Sequence, residues 1–252
     1  LAAQGTTRRQ IWGVAGWLES DVTHLGVDVR TNCFAEADTV SAEAPDLVII
    51  ASGGWPDPPA IPGGDLALSS WDVWGGEARP TGEVMLFDES GAQAAGVCAQ
   101  VLAQTADSVT LATPDRAVAL ELGPTNSAVV LRDLARAGVR FECFQELTGI
   151  MPIGNRRQVY VRHVLTGEVT QRDVDAVVIA TGSSPMDAIY HDLKAQSLNH
   201  GQLNQDAMIE GRSPFDVTNP DGAFMLARIG DAVASRNMHA ALYDALRVCK
   251  DF

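Results

Sequence analysis

The chain is short of positive charge: 18 lysines and arginines face 32 aspartates and glutamates, for a formal net charge of −14. Binding along a nucleic-acid backbone or an anionic membrane surface needs clustered cations. The basic doublets Arg8-Arg9 and Arg156-Arg157 are too short to supply them. Long apolar runs are also missing. No stretch approaches the roughly 20 residues that cross a bilayer, and Leu1 to Gly5 lack the charged and apolar regions of a signal peptide. Cysteine is sparse and unpatterned. Cys33, Cys98, Cys143 and Cys249 lie far apart with no C-x-x-C, so neither a zinc nor an iron–sulfur site is legible, and a reduced cytoplasmic setting is expected. His24, His163, His191 and His200 show no metal-ligand spacing. Ser90-Gly91 and Ser183-Ser184 lack the G-x-S-x-G elbow of a hydrolase nucleophile. An initial methionine is lacking too, which points to a fragment, a processed product or an unrecorded N-terminal part.

What is present is enough apolar material for a core: 46% of 252 residues are hydrophobic and 20% charged, which suits one large or two modest globular domains. Two stretches echo each other, Pro45-Asp46-Leu47-Val48-Ile49-Ile50-Ala51-Ser52-Gly53-Gly54 and Val174-Asp175-Ala176-Val177-Val178-Ile179-Ala180-Thr181-Gly182-Ser183-Ser184-Pro185. Each is a short β-branched run entered through an aspartate and closed by small residues, the pattern of a buried strand turning tightly. The echo predicts two related nucleotide-binding-type lobes. A second repeat of organisation accompanies it. Ile11 to Leu25 has helical spacing ending at Gly26, followed by an alternating strand Val27 to Thr31, and Leu131 to Phe141 repeats helix, glycine and strand.

Between the halves, the prolines and glycines of Trp55 to Asp65 exclude regular structure and predict a surface connection. A short helical piece follows at Ser70 to Trp74, then a second break at Arg79-Pro80-Thr81-Gly82, where the domain boundary is placed. From Glu83 the pattern is strand, helix through Leu102-Ala103, and strand Ser108 to Ala112, a parallel right-handed unit. A helix from about Asn126 to Ala137 leads to a strand Val139 to Cys143, and Gln158 to Val164 with Glu168 to Arg172 reads as an antiparallel hairpin. The tail runs through a polar stretch, Ser197 to Asn219, to a strand Ala223 to Ile229, the turn Gly230-Asp231 and a last helix from about Asn237 to Val248.

Dinucleotide phosphates bind where a strand turns into a helix, because free N–H groups and the positive helix end face the anion. The candidate turn, Phe87 to Ala99, lacks a clean G-x-G-x-x-G: Gly91 and Gly96 are what remain. Asp88 and Glu89 bring negative charge where a pyrophosphate would sit. A lobe that keeps Rossmann packing while binding NAD(P) poorly or not at all is favoured over tight binding. The first lobe has no opening strand, glycine turn, helix and acid-ended second strand within the chain; its later pieces are Leu47 to Gly54 and Ala227-Arg228-Ile229-Gly230-Asp231-Ala232.

The order VIIASGGWP, degenerate glycine loop, VVIATGSSP and GAFMLARIGDAVASRNMHAALYDALR resembles the C-terminal two-lobe region of the trimethylamine dehydrogenase and 2,4-dienoyl-CoA reductase group of old-yellow-enzyme-like flavin oxidoreductases. Within it, the chain looks most like the N-methyl amino acid demethylases that act on dimethylglycine or N-methylated prolines. The resemblance covers essentially the whole chain, and the tail motif is its most distinctive part. It implies an α/β fold of two Rossmann-like lobes of the FAD/NAD(P)-binding, three-layer ββα type, the first incomplete at its N-terminus. Three-stranded antiparallel crossovers before the Val174 to Ala180 strand are the habit of such lobes. The FAD-like lobe would comprise 1–80 plus 186–252, and the NAD(P)-like lobe 81–185.

The resemblance further implies an N-terminal (β/α)8 barrel, outside this sequence, carrying FMN, a 4Fe–4S cluster and the substrate pocket. FAD or ADP is then expected in the FAD-like lobe, with NAD(P) disfavoured. The partners implied are that barrel, an electron-acceptor protein and a second copy of the chain, and no nucleic acid or membrane. Asp231 matches the position whose carboxylate meets a ribityl or ribose hydroxyl; the plainer reading is a helix N-terminal acid. Gly53, Gly54, Thr181 and Gly182 either face a nucleotide or only make their turns. Gly91, Gly96 and Gly230 complete the candidate cofactor residues. No catalytic or metal residue is assigned. Asn237 reads as a cap and His239 as an ordinary packed or surface histidine. Trp55 and Trp71 to Trp74 are candidates for packing against the barrel. The chain alone would not be a complete catalyst. Two other readings stay open: a docking module with degenerate nucleotide sites, and an autonomous NAD(P)H-dependent flavin reductase, which needs a first glycine fingerprint absent here.

Overall fold

Aliphatic and β-branched runs become strands, and helices fall where apolar residues recur at helical spacing. The computed structural model describes residues 11–250. In chain order these form α1 (Ile11–His24), α2 (Ala37–Ala42), β1 (Leu47–Ile50), β2 (Gly54–Pro56), β3 (Leu68–Ser69), α3 (Ser70–Gly75), β4 (Glu83–Asp88), α4 (Gln93–Leu102), β5 (Ser108–Ala112), α5 (Gly123–Arg136), β6 (Arg140–Glu142), β7 (Gln145–Ile153), β8 (Arg156–His163), β9 (Val169–Val174), β10 (Ala176–Ala180), β11 (Ser183–Pro185), α6 (Ala188–Leu193), α7 (Gln205–Ile209), β12 (Met225–Arg228) and α8 (Met238–Cys249). They divide into two compact units, 11–28 with 56–182, and 29–55 with 183–250. Among the described residues no helix is long and apolar enough to cross a membrane.

In the first unit, five parallel strands lie in the order β3-β10-β4-β5-β6. Because successive side chains point to opposite faces, β4 divides its residues between two cores. Val84 and Leu86 pack with Val73, Ala95, Leu102, Val130 and Leu134 of α3, α4 and α5. Met85 and Phe87 pack with Leu147, Ile150, Val159, Val161 and Val174 of the antiparallel sheet β7-β8-β9. The result is the expected sheet, sheet and helix layering, with each fully buried aliphatic side chain contributing about 1.5–3 kcal/mol.

Three local expectations change. The alternating segment Val27 to Thr31 forms no strand, and Val27 and Val29 are exposed. Alternation is a local pattern, whereas a strand is defined by a ladder of hydrogen bonds to another strand. The hairpin read from alternation gains a third strand, β7, completing the three-stranded crossover that the resemblance implies; its Gly149 and Pro152 obscure the pattern, and its register shifts between Leu147 and Gly149. Residues 56–80, grouped by sequence with the first lobe, pack in the structure with the five-stranded parallel sheet of the first unit. Val178 and Ile179 of β10 pair with Leu68 and Ser69. Ser69 caps α3, its Oγ accepting from Trp71 N–H at 3.1 Å while its own N–H donates to Asp72 at 3.3 Å. Val73 and Trp74 then enter the core, and Trp71 packs against it.

In the second unit, β1 and β12 run parallel from Leu47↔Met225 to Ile50↔Arg228. Val48, Ile50, Tyr190, Leu193, Phe224 and Leu226 form its core. The polar stretch after Ser197 also belongs to the unit's framework. Buried Asn199 donates to Leu226 O at 2.9 Å and accepts from Leu226 N–H at 2.9 Å, standing in for a neighbouring strand.

Candidate nucleotide-binding cleft

The carboxyl ends of parallel strands open a crevice in which ligands of α/β sheets sit. Beyond β1 comes Gly53, and beyond β12 come Gly230 and Asp231. With Arg236, Asn237 and Met238 at the start of α8 they line a cavity of about 380 Å³. Gly230 holds φ at +61°, and a Cβ there would lie 3.3 Å from the Ala241 Cβ, so the turn and the approach of α8 both ask for glycine.

Side chains lock this turn from the helix side. The Gly230 N–H donates to Asp244 Oδ2 at 3.1 Å, and Arg236 pairs with the same carboxylate while donating to Gly230 O at 3.3 Å. Asp231 Oδ1 accepts the Arg236 N–H at 3.1 Å, and Asn237 Oδ1 accepts the Ala240 N–H at 2.9 Å as the cap of α8. The twelve-residue α8 thus presents its positive end, beside a guanidinium that Asp244 holds in place, at the mouth of a cleft in an otherwise acidic chain. That combination suits a phosphate, and the Asp231 carboxylate suits a ribose or ribityl hydroxyl. His239, exposed, stacks on Tyr243 at 6.5 Å.

The remaining candidates lie elsewhere. Gly54 is in β2, paired with β11, where a Cβ would meet Ser184 O at 3.0 Å. In the first unit, Thr181 and Gly182 follow β10, and Gly182 O accepts the Asp57 N–H at 3.0 Å, a turn-making role. Gly96, buried within α4, faces Val130 of α5. Gly91 is in the β4–α4 loop, which is organised by Asp88. That side chain is 0% exposed, and its Oδ1 accepts from Ser90 N–H at 3.1 Å, Gly91 N–H at 3.0 Å and Ser90 Oγ at 3.2 Å. Its Oδ2 has no hydrogen-bond partner among the described residues. Burial pushes the Asp88 carboxyl up to about 6, the hydrogen bonds from Ser90 and Gly91 opposing and Asp115 adding to the rise.

Asp115 escapes motif reading. It follows β5, and its Oδ2 is 2.9 Å from where a Gly91 Cβ would stand. The available signal was an acid just past the second strand, roughly 20 residues after the loop, the usual place of a ribose-binding acid. Cys98 is an inert core thiol, pushed by burial up to about 12. The four cysteines are free, and among the described residues no group of three or more His, Cys, Asp or Glu side chains could hold a metal ion.

The Asp88 shift sets a pH dependence. The folded state keeps this proton to about pH 6 while an ordinary aspartate releases it near 3.8. The unfolded state therefore binds fewer protons between these values, and stability falls as pH rises through that window and is level above it. Urea unfolding at about pH 4.5 and about pH 7.5 is expected to show the native chain losing about 2 kcal/mol relative to Asp88→Asn. Parallel behaviour of the two proteins would refute the assignment.

A family profile described as pyridine nucleotide-disulphide oxidoreductase matches residues 14–215. The chain belongs to that family. It is 40% identical over 252 residues to a probable N-methylproline demethylase of Rhizobium meliloti, covering 100% of this chain and 37% of the relative. It is 35% identical over 265 residues to an N,N-dimethylglycine/sarcosine dehydrogenase of Chromohalobacter salexigens, covering 100% and 38%. The chain thus spans little more than a third of these relatives' length. Among solved structures, a 2-naphthoyl-CoA reductase superposes with TM-score 0.75 at 20% identity over 98% of this chain and 33% of the other. Histamine dehydrogenase from Rhizobium sp. 4-9 superposes with TM-score 0.69 at 20% identity over 92% and 35%. The structural likenesses establish the fold, and the family establishes an FAD/NAD(P)-binding domain of flavin-dependent oxidoreductase type.

Proposed function

We propose that this chain is the nucleotide-binding portion of a larger flavin-dependent oxidoreductase that demethylates an N-methyl amino acid, and that its own task is to hold FAD or ADP. The observation that carries the reading is 40% identity to a probable N-methylproline demethylase maintained across the whole chain. The lobe built on 29–55 and 183–250 is the FAD side, with Arg236 and the α8 N-terminus taking phosphate, Gly53 and Gly230 admitting it, and Asp231 taking a hydroxyl. FMN and a 4Fe–4S cluster belong in this reading to a barrel outside the chain, together with substrate oxidation.

The full-length protein carrying this chain should contain extractable flavin and oxidise dimethylglycine or N-methylproline with an artificial electron acceptor. Absence of both would end the demethylase assignment. Calorimetric titration with ADP and FAD should give saturable micromolar binding, and its absence would favour a second reading, a docking module without nucleotide. The β4–α4 loop supports that second reading for its own lobe, because acids occupy the phosphate position. An autonomous NAD(P)H-dependent reductase is the reading least supported by that loop.

A further inference from the structure

The β4–α4 loop has the location of a dinucleotide phosphate site: a buried parallel strand ends, the chain turns, and a ten-residue helix begins. Its backbone donors are already committed. The N–H groups of Ser90 and Gly91 donate to Asp88 Oδ1, and the N–H of Ala92 donates to Ser90 Oγ at 3.3 Å. The helix has no other side-chain cap at its start, since Ala92 holds the capping position. A carboxylate from the end of the strand therefore makes the contacts a phosphate oxygen would make.

Stability alone does not account for this choice. An asparagine could accept the same N–H groups without a buried charge, whereas Asp88 is fully buried and leaves Oδ2 without a hydrogen-bond partner among the described residues, which is costly. The surroundings deepen the negative field: Asp115 borders Gly91, Glu121 packs beside it and donates its N–H to Gly91 O, and Glu89 follows on the exposed side. A pyrophosphate entering here would meet an anion on its own donors.

We propose that Asp88 is the specificity-determining residue that closes this lobe to dinucleotide pyrophosphate, acting as a built-in anion, and that removing its charge opens the loop to NADH and NADPH. This deepens the proposed function, in which NAD(P) has no place in the lobe, and rests on that reading only for the type of fold. Reducing equivalents then do not arrive as hydride from a pyridine nucleotide bound here.

The test is titration of the full-length protein with NADH and NADPH, with ADP held at saturation so that the other lobe's cleft does not compete. The native protein should bind NADH and NADPH only weakly. Asp88→Gly should bind about 10- to 100-fold more tightly than native, the effect of freeing two charge-assisted hydrogen bonds. Asp88→Asn should fall between them, since it removes the charge and leaves the amide over the donors. Saturable NADH binding by the native protein as tight as by Asp88→Gly would overturn the proposal. So would a cooperatively folded Asp88→Asn protein with no gain. If Asp88→Gly does not fold, Asp88→Asn decides alone. The ADP titration reports on the cleft independently, so its failure removes the FAD-side reading without touching the result at Asp88.

Discussion

Replacing Arg236 by alanine is expected to weaken ADP binding to the cleft by about 10- to 100-fold, the size of a charge-assisted hydrogen bond to phosphate, about 1.5–3 kcal/mol. Arg236 contributes in two ways. Its guanidinium brings positive charge to the cavity beside the α8 N-terminus. Through Asp244 and the Gly230 carbonyl it also holds the turn in shape. Removing it leaves the Asp244 carboxylate, 18% exposed, without its cation and still bonded to the Gly230 N–H. The variant should therefore also melt at a lower temperature. Arg236→Lys keeps the charge but loses the planar fork, so it should restore part of the affinity and less of the turn. A folded Arg236→Ala protein with native ADP affinity, measured by calorimetry, would place the nucleotide elsewhere.

Gly63→Ala should destabilise the first unit by about 3 kcal/mol or more, by combining left-handed backbone strain with a backbone collision. Gly63 has φ +73°, and a Cβ would lie 1.9 Å from the Ile150 carbonyl oxygen. Neither atom is the end of a flexible side chain, and Ile150 is pinned by its N–H bond to Pro62 O at 2.9 Å. Relief requires the 56–67 segment to lift off β7, exposing part of the core around Leu147 and Ile150. Urea unfolding should show the loss as a lower midpoint. By contrast Gly154, where a Cβ meets nothing within 4 Å, should tolerate alanine at the cost of backbone strain alone. Equal stability losses at the two positions would count against the collision.

These positions show how far the residues alone could be read. The strands β1, β4, β5, β10 and β12 were legible, because a parallel strand buried on both faces must be apolar throughout and short. Helix α5 was legible through its spacing and the glycine after it. Gly53, Gly230 and Asp231 could be picked out by their place after such strands, and they do share a cavity. Arg236 and Asp244 were not singled out, because a latch between a turn and a helix is written in no local pattern. Asp115 was passed over for the same reason: its relation to Gly91 crosses the space between two strands. Val27 to Thr31 erred the other way, carrying a strand's alternation where the structure forms no strand.

The sequence by itself determined the class of protein: two lobes of parallel-strand architecture, an acidic surface, an eroded glycine loop and a tail diagnostic of a flavin oxidoreductase group. Periodicity and turn chemistry are local and survive in one dimension. The tertiary structure decided where the 56–80 segment belongs, since a proline- and glycine-rich chain has no preference until Ile150 and β10 offer it hydrogen bonds. It also decided the two electrostatic facts on which the proposed function turns: which carboxylate faces which N–H at Asp88, and which cation stands at the cleft mouth. Such contacts depend on distances of about 3 Å between residues that the sequence order leaves free to be anywhere.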